Sequence, residues 1–165
     1  SGAPGARGLV YVTNGSDVVG IGTLTNGEGT VTLDKTALKP GTHELDVFFN
    51  GSDQFEPADV PVTVTVTKAA TTTKAKVATT KIVASKTKAK VTATVSAQGF
   101  TPADGKVTVK KGTIVVGTGT VLDGVATVTL RPLTKVGTSA FTVSYAGNDL
   151  ALASSGTVSI KVVKK

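Results

Sequence analysis

The chain of 165 residues has no cysteine, methionine or tryptophan, and it has a single histidine. Without cysteine it forms no disulfide, no thiolate metal centre and no thiol nucleophile. Only seven residues are aromatic, so the rows of exposed rings that stack on sugars or nucleic-acid bases are nearly missing. No run of about 18 apolar residues occurs, and the sequence predicts no transmembrane segment.

The abundant residues are those that form strands and turns. Apolar residues make up 39% of the chain, and most of them are valine, alanine, leucine and isoleucine. Valine and threonine favour strands, whereas glycine, proline, asparagine and aspartate interrupt them. No segment has the periodicity of an amphipathic helix. The sequence therefore predicts an all-β protein.

One segment of the sequence occurs twice. Residues 8–33 align without a gap with residues 105–130, and 14 of these 26 positions are identical, where chance would give roughly a tenth. After one gap the match resumes at an offset of 96, with Gly41 against Gly137. We call residues related by the offset of 97, or after the gap by 96, counterparts. The duplication predicts two homologous units.

The first predicted unit, residues 1–67, is shorter than the second, residues 68–165. Alternation of apolar and polar residues predicts five strands in the first unit, at residues 8–12, 18–24, 30–34, 42–49 and 60–66. It predicts seven in the second unit, at residues 72–82, 88–97, 105–110, 114–121, 125–130, 139–145 and 157–163. The two opening strands of the second unit have no equivalent in the first.

The inward valines of the first unit need a cover that its own five strands do not supply. An uncovered sandwich would expose a large apolar face and unpaired strand edges, which proteins rarely tolerate. The missing strands either precede this unit in a longer parent protein or come from another chain. Strand exchange in a homodimer is one arrangement of the second kind.

Two local signals refine the first hairpin. Asn14-Gly15 is the dipeptide most suited to a two-residue hairpin turn. Gly20 and Gly22 lie inside the following strand and indicate a bulge or a close approach of backbone. They precede no helix, so they do not predict a phosphate-binding loop.

The second copy carries the pattern Gly-x-Val-x-Val, then Asp-Gly-x-Ala-Thr-Val-x-Leu, then Phe-x-Val-x-Tyr-x-Gly-Asn-Asp. This pattern resembles the bacterial Ig-like repeats, and the resemblance covers nearly the whole chain. It implies two tandem immunoglobulin-like Greek-key β-sandwiches, the first lacking its two N-terminal strands. Such repeats are typically non-catalytic and stand in tandem on secreted enzymes, adhesins and wall-attached proteins. The lack of cysteine fits a bacterial secreted or cell-surface protein.

The expected function is therefore a structural spacer or display module of a larger secreted or cell-surface bacterial protein. We expect its partners to be the preceding domains of that parent, with this chain as a C-terminal appendage, for example on an extracellular hydrolase. The expected activity is none, and any activity of the parent would lie upstream of Ser1. No cofactor is predicted.

The candidate chemical groups are few. His43 has the parity of the inward residues of its strand, and the resemblance implies a histidine there, so a structural role is preferred over catalysis. A lone histidine without cysteine does not predict zinc. Asp53, Glu56 and Asp59 are candidate calcium ligands in one loop, but they lack the Asp-x-Asp-x-Asp-Gly spacing, and a solvated loop is the preferred interpretation.

Charge divides sharply between the predicted units. Residues 1–67 hold three basic and eight acidic residues, a net charge of −5, and residues 68–165 hold fifteen basic and three acidic residues, a net charge of +12. One interpretation is a solvated face with lysines that protect strand edges. The alternative is binding to an anionic cell-wall polymer, acidic polysaccharide or phospholipid surface, and the scarcity of aromatic residues argues against nucleic acid. The candidate lysines are Lys74, Lys76, Lys81, Lys86, Lys88, Lys90, Lys106, Lys110 and Lys111.

A candidate partner patch lies on the outer face of the first unit. Leu9, Tyr11 and Phe48 are predicted to be neighbours there, because the third and sixth strands of an Ig-like sandwich are adjacent. Their counterparts in the second copy are lysine, threonine and serine. An apolar cluster where the sister copy is polar indicates a partner or an adjoining domain. The alternative is a tolerated scatter of exposed apolar groups.

Overall fold

A computed structural model of the protein describes residues 5–34, 37–79, 81–102 and 104–164. Every regular element in those ranges is a strand, so they include no helix of the length and apolarity that would cross a bilayer. The prediction of an all-β protein is confirmed. The strands, β1 to β12 in chain order, span Gly8–Asn14, Asp17–Leu24, Gly41–Phe49, Ala58–Val66, Thr71–Val77, Ile82–Val83, Lys90–Ala97, Lys106–Lys111, Ile114–Thr120, Val125–Thr129, Gly137–Tyr145 and Ser154–Val163.

The strands belong to two compact units, Ser1–Thr67 and Lys68–Lys165. Unit 1 holds one sheet with the strand order β2-β1-β3-β4. Unit 2 holds two sheets, with the orders β10-β7-β5 and β6-β12-β11-β8-β9. Sequence-distant neighbours such as β11 and β8 are antiparallel, whereas the short β6 pairs with β12 in parallel. The largely antiparallel pairing accounts for the alternation of inward apolar and outward polar residues.

Unit 2 buries the inward side chains of both of its sheets in one core. Val91, Ala93 and Val95 on β7 are at most 1% exposed. Val143 on β11, in the other sheet, is completely buried in the same cluster. Because both sheets contribute to one core, they face each other, and the arrangement fits a β-sandwich.

Unit 1 shows the same alternation around a much smaller core. Val12, Leu38 and Leu45 are the buried members of its cluster. Of the inward valines of β4, Val60 is 57% and Val62 40% exposed, whereas Val64 and Val66 are half-buried against this cluster. No second sheet covers this face within the described part of unit 1. The inward parity therefore extends over the whole sheet, whereas the burial is lost at the start of β4.

The predicted strand at residues 30–34 is wrong, because among the described residues this segment has no partner strand with which to form a ladder. Val31 and Leu33 nevertheless pack on the core of unit 1. A Cβ atom on Gly20 would lie 2.7 Å from Val31 Cγ1 and 2.6 Å from Leu33 Cδ2, and one on Gly22 would lie 2.8 Å from Val31 Cγ2. The same Cβ on Gly22 would lie 2.9 Å from the carbonyl oxygen of Thr30, so a close approach of backbone, one of the two alternatives predicted at these glycines, is confirmed. In unit 2 the corresponding segment is β10, and it pairs with β7.

Two further local predictions need correction. The loop between β1 and β2 consists of Gly15 and Ser16, because Asn14 still pairs with Asp17; Gly15 has the left-handed φ of 62° that this turn requires. The single strand predicted at residues 72–82 divides into β5, which pairs with β7, and β6, which pairs with β12 in the other sheet. Alternation alone does not reveal that a chain changes sheets.

Candidate functional site

The inner face of unit 1 is an open apolar groove. Its volume is about 400 Å³, and residues of all four strands line it, among them Val10, Leu24, Val47 and Val60. Val31 and Gly29 close one side. Every lining side chain is apolar, so the groove suits aliphatic groups and offers no side chain for catalysis. Exposed apolar surface of this kind marks a site of interaction.

His43 lies half-buried near the start of β3. Its Nε2 atom is 2.7 Å from the main-chain carbonyl oxygen of Lys39. Because a carbonyl oxygen only accepts hydrogen bonds, Nε2 carries the proton and donates it in this contact. The imidazole therefore links the corner before β3 to the strand.

The acidic loop forms a separate, polar cavity. Asp53 and Glu56 line it, together with the rest of residues 50–57, and its volume is about 380 Å³. Asp59 lies beyond this loop on β4, opposite Phe48 of β3. The described residues contain no group of three or more histidine, cysteine, aspartate or glutamate side chains that could hold a metal ion. The three carboxylates considered for calcium are thus not brought together as a site.

Leu9, Tyr11 and Phe48 lie side by side on the outer face of unit 1. Tyr11 of β1 is directly opposite Phe48 of β3, and Leu9 lies two residues earlier on the same face. Ile21 of β2 is opposite Tyr11 on its other side and is 59% exposed. We call these four residues the outer apolar cluster. The sequence analysis missed Ile21, although its counterpart, Thr118, is polar like those of the other three.

The nine candidate lysines do not share one surface. Lys74 and Lys76 on β5 and Lys90 on β7 occupy the outer face of the three-stranded sheet. Lys106 is exposed on β8, in the five-stranded sheet. The two sheets face each other across one core, so their outer faces point in opposite directions. The other five lie on the connections around β6 or later on β8, and they are Lys81, Lys86, Lys88, Lys110 and Lys111.

Tyr145, at the end of β11, is buried in the core of unit 2. Its hydroxyl donates a hydrogen bond of 2.9 Å to the carbonyl oxygen of Asp104. Burial, and to a smaller extent the negative charge of Asp104, raises the pKa of Tyr145 above 10.0. The ring lies against the backbone of Gly105, where a Cβ would collide with its Cε2 atom. The phenol is thus a structural link between β11 and the connection that leads into β8.

Together these features define an all-β protein with one sealed unit and one open unit. Comparisons of the chain with protein-family models, with curated proteins and with solved structures give no match. The function is therefore inferred from the residues themselves.

Proposed function

We propose that the protein is a non-catalytic structural module, a spacer or display element of two tandem immunoglobulin-like β-sandwiches within a larger secreted or cell-surface bacterial protein. The observation that carries this proposal is the common strand framework of the two units. Val12 of β1 pairs with Val47 of β3, as Val109 of β8 pairs with Val143 of β11. The register shifts directly after Val12 in one unit and directly after Val109 in the other. Such agreement in register and bulge supports two copies of one fold.

The strand order of unit 2 supports the immunoglobulin-like assignment. That fold places strands A, B and E in one sheet and strands C, F and G in the other, with C′ beside C in some members. The order β5-β7-β10 matches A-B-E, and the order β12-β11-β8-β9 matches G-F-C-C′. The short β6 then continues strand A beside strand G.

The pairing of β6 with β12 suits a spacer, which must resist extension. Ile82 lies opposite Val162 and Val83 opposite Val163, in parallel. The N–H of Ala84 also donates to the carbonyl oxygen of Val163 at 3.0 Å. Tension between the two ends of unit 2 slides these parallel strands past each other, so the hydrogen bonds between them share the force and break together.

Stretching single molecules of the full chain tests the proposal. Unit 2 comprises residues 68 to 165, so its forced unfolding is expected to release roughly 30 nm of chain in one discrete event. Ala84→Pro removes the donor to Val163 and is expected to lower the unfolding force. Arg131→Pro is the control, because it removes a main-chain hydrogen bond to Val116 on β9 and spares the β6–β12 pair. Unfolding without a discrete event, or equal forces for both variants, would contradict the mechanical role.

A second candidate function is attachment to an acidic polysaccharide or another anionic wall polymer. The outer face of the three-stranded sheet presents Lys74, Lys76 and Lys90 among threonine, serine and valine, and no acidic residue lies on its strands. A basic face of this kind attracts polyanions, and added salt screens the attraction.

Retention of the full chain on immobilised polygalacturonate, measured in rising salt, tests this surface. Changing all three lysines of the outer face to serine is expected to abolish retention. The matched control replaces three lysines of β8, which belong to the other sheet, and it is expected to keep most of the retention: Lys106→Ser, Lys110→Ser and Lys111→Ser. Equal losses in the two triple variants would assign the binding to net charge and refute a defined face.

A further inference from the structure

The open groove of unit 1 has a sealed equivalent in unit 2. Val62, the next inward residue of β4 after the groove-lining Val60, is 40% exposed, whereas its counterpart Val158 is 9% exposed. Val47 is half-buried, whereas its counterpart Val143 is completely buried. The covering strands in unit 2 are β5 and β7, and the described strands of unit 1 include no equivalent of either. Unit 2 therefore shows what kind of structure fits over this face.

Within the described residues, unit 1 also has a segment without a ladder partner where the first covering strand would add, although Glu28 at its start bonds to Thr25. In unit 2, β10 runs antiparallel to β7, from Val125 opposite Thr94 to Thr129 opposite Lys90. The counterparts of β10, residues 28–32, belong to no strand. An exposed edge of this kind accepts an added strand through its free N–H and C=O groups.

The charges at this edge favour a basic occupant. Glu28 stands where unit 2 has Val125, and Asp34 stands where unit 2 has Arg131. Residues 68–97, which include β5 and β7, contain seven lysines and no acidic residue. A segment of that composition is attracted to unit 1, with its net charge of −5, whereas a second copy of the acidic unit is repelled. The electrostatics therefore favour lysine-rich strands over the packing of two copies of unit 1.

The start of unit 1 shows from which end such strands arrive. The carbonyl oxygen of Ala6 accepts a hydrogen bond of 2.8 Å from the N–H of Gly27. In unit 2 the counterpart of Gly27 is Gly124, whose N–H donates to Pro102 at 2.8 Å and whose carbonyl oxygen accepts from Val95 of β7 at 2.7 Å. The residues that lead into β1 therefore lie against the turn at Gly27. In unit 2, the residues that follow β7 lie against the equivalent turn at Gly124.

We propose that the groove of unit 1 is an acceptor site for two antiparallel strands on the N-terminal side of the same polypeptide. These strands carry valine or alanine at alternate positions and lysines between them, in the pattern of β5 and β7. The nearer strand pairs with residues 28–32 and inserts its small aliphatic side chains into the groove, and the farther strand pairs with the nearer one. Unit 1 is sealed when they are in place. This completion rests on the proposal that the two units are copies of one fold, but not on the spacer role.

A fusion of a second copy of residues 68–97 directly before Ser1 tests the proposal in the full chain. Ser1 is the counterpart of Gln98, so the fusion reproduces the spacing of unit 2 residue for residue. Hydrogen exchange at residues 28–32 is expected to slow at least tenfold, and the fused chain is expected to sediment as a monomer. The control fusion has the same length but carries Val91→Lys, Ala93→Lys and Val95→Lys in the added copy, and its exchange is expected to match that of the unfused chain.

The synthetic peptide of residues 68–97, added in trans to the unfused chain, supplies a second measurement if the fusion misfolds. It is expected to bind unit 1 and slow exchange at residues 28–32, with an affinity that falls as salt rises. The same exchange rate for unfused chain, fusion and peptide mixture would overturn the proposal. A fused chain that sediments as a dimer would also overturn it, because a second copy would then be the occupant.

Discussion

Units 1 and 2 present the same kinds of inward residue on four equivalent strands, yet only one of them seals its core. Val12 of unit 1 is 6% exposed and its counterpart Val109 is fully buried, so the centre of the sheet differs little. Towards β4 the difference grows, with Val62 40% and Val158 9% exposed. Alternation decides which way a side chain points, whereas burial requires a second layer. Residues 68–97 provide that layer in unit 2.

The energetic consequence follows from the exposed area. Complete burial of a valine contributes about 1.5–3 kcal/mol, and several inward valines of unit 1 realise only part of this. Unit 1 is therefore expected to open locally at a lower free energy than unit 2, with faster hydrogen exchange in β3 than in β11. The comparison of counterpart positions makes this difference measurable within one molecule.

The largest expected effect comes from placing a charge at the same position in each unit. Val143→Asp puts a carboxylate into the sealed core and is expected to cost unit 2 at least about 4 kcal/mol. Val47→Asp faces the open groove, where water reaches the carboxylate, and is expected to cost unit 1 about 1–2 kcal/mol. Hydrogen exchange at the amides of each unit measures the two losses of unfolding free energy. Similar losses in the two units would break the comparison.

The next effect concerns two counterpart glycines. Gly117 on β9 contacts β10, and Gly20 on β2 contacts the equivalent residues 30–34. A Cβ on Gly117 would lie 2.7 Å from Val128 Cγ1, and β10 is held in place by β7, so Gly117→Ala is expected to cost about 1–3 kcal/mol. The equivalent change, Gly20→Ala, meets Val31 at 2.7 Å. Residues 30–34 form no ladder among the described residues and can move away from the added methyl group. Gly20→Ala is therefore expected to lower the free energy of unfolding by less than about 1 kcal/mol. Denaturant unfolding of both variants measures the two losses of unfolding free energy. A greater loss for Gly20→Ala than for Gly117→Ala would contradict the prediction.

A smaller effect is expected where Tyr145 of unit 2 corresponds to Phe49 of unit 1. Tyr145→Phe removes the hydrogen bond to Asp104 and is expected to cost unit 2 about 1 kcal/mol at neutral pH. Because the pKa of Tyr145 is raised in the folded state, the unfolded chain loses this proton first, near pH 10.0. The contribution of the phenol is therefore complete below pH 10 and falls as the pH rises through the folded-state pKa.

The measurement for Tyr145 is the unfolding free energy of the wild type and of Tyr145→Phe from pH 7 to pH 11. The wild type is expected to lose its advantage in the alkaline range, since both proteins share the titration of the lysines. A difference in unfolding free energy that stays constant from pH 7 to pH 11 would show that the pKa of Tyr145 is the same in the folded and unfolded states.

The smallest expected effect concerns Lys111, whose Nζ lies 5.7 Å from the ring centroid of Phe141. Its counterpart in unit 1 is Asn14, and Lys111→Asn is expected to cost unit 2 about 0.5 kcal/mol through loss of the cation–π contact. Lys106→Asn on the same strand is the control, because Lys106 is exposed on the outer face. Equal effects in thermal unfolding would assign the change to net charge.

Much of the strand framework could be predicted from the sequence, because alternation and turn residues are local features of the chain. The alternation at Val10 and Val12 identified the inward face of β1, and both residues are buried. Gly20 and Gly22 indicated a close approach that the structure contains. Ile21 was missed in the outer apolar cluster because uninterrupted pairing from Asn14 and Asp17 would set it opposite the inward Val10, whereas the register shift after Val12 sets it opposite Tyr11.

The predictions that failed depended on distant partners. Residues 30–34 have the composition of a strand, but a strand exists only where a neighbour completes the ladder. The division of residues 72–82 between β5 and β6 depends on β7 and β12, which come later in the chain. The placement of Lys74 and Lys106 on opposite outer faces likewise depends on which sheet each strand joins.

The strand content, the position of most strands and the inward side chains follow from local sequence, since propensity and a period of two are properties of neighbouring residues. The closure of unit 2 and the openness of unit 1 are visible only in the folded chain, because closure requires strands far apart in the chain to meet across one core. Val47 is only half-buried in the groove of unit 1, whereas its counterpart Val143 is completely buried in the core of unit 2. That contrast is the physical basis for proposing that the groove receives two further strands.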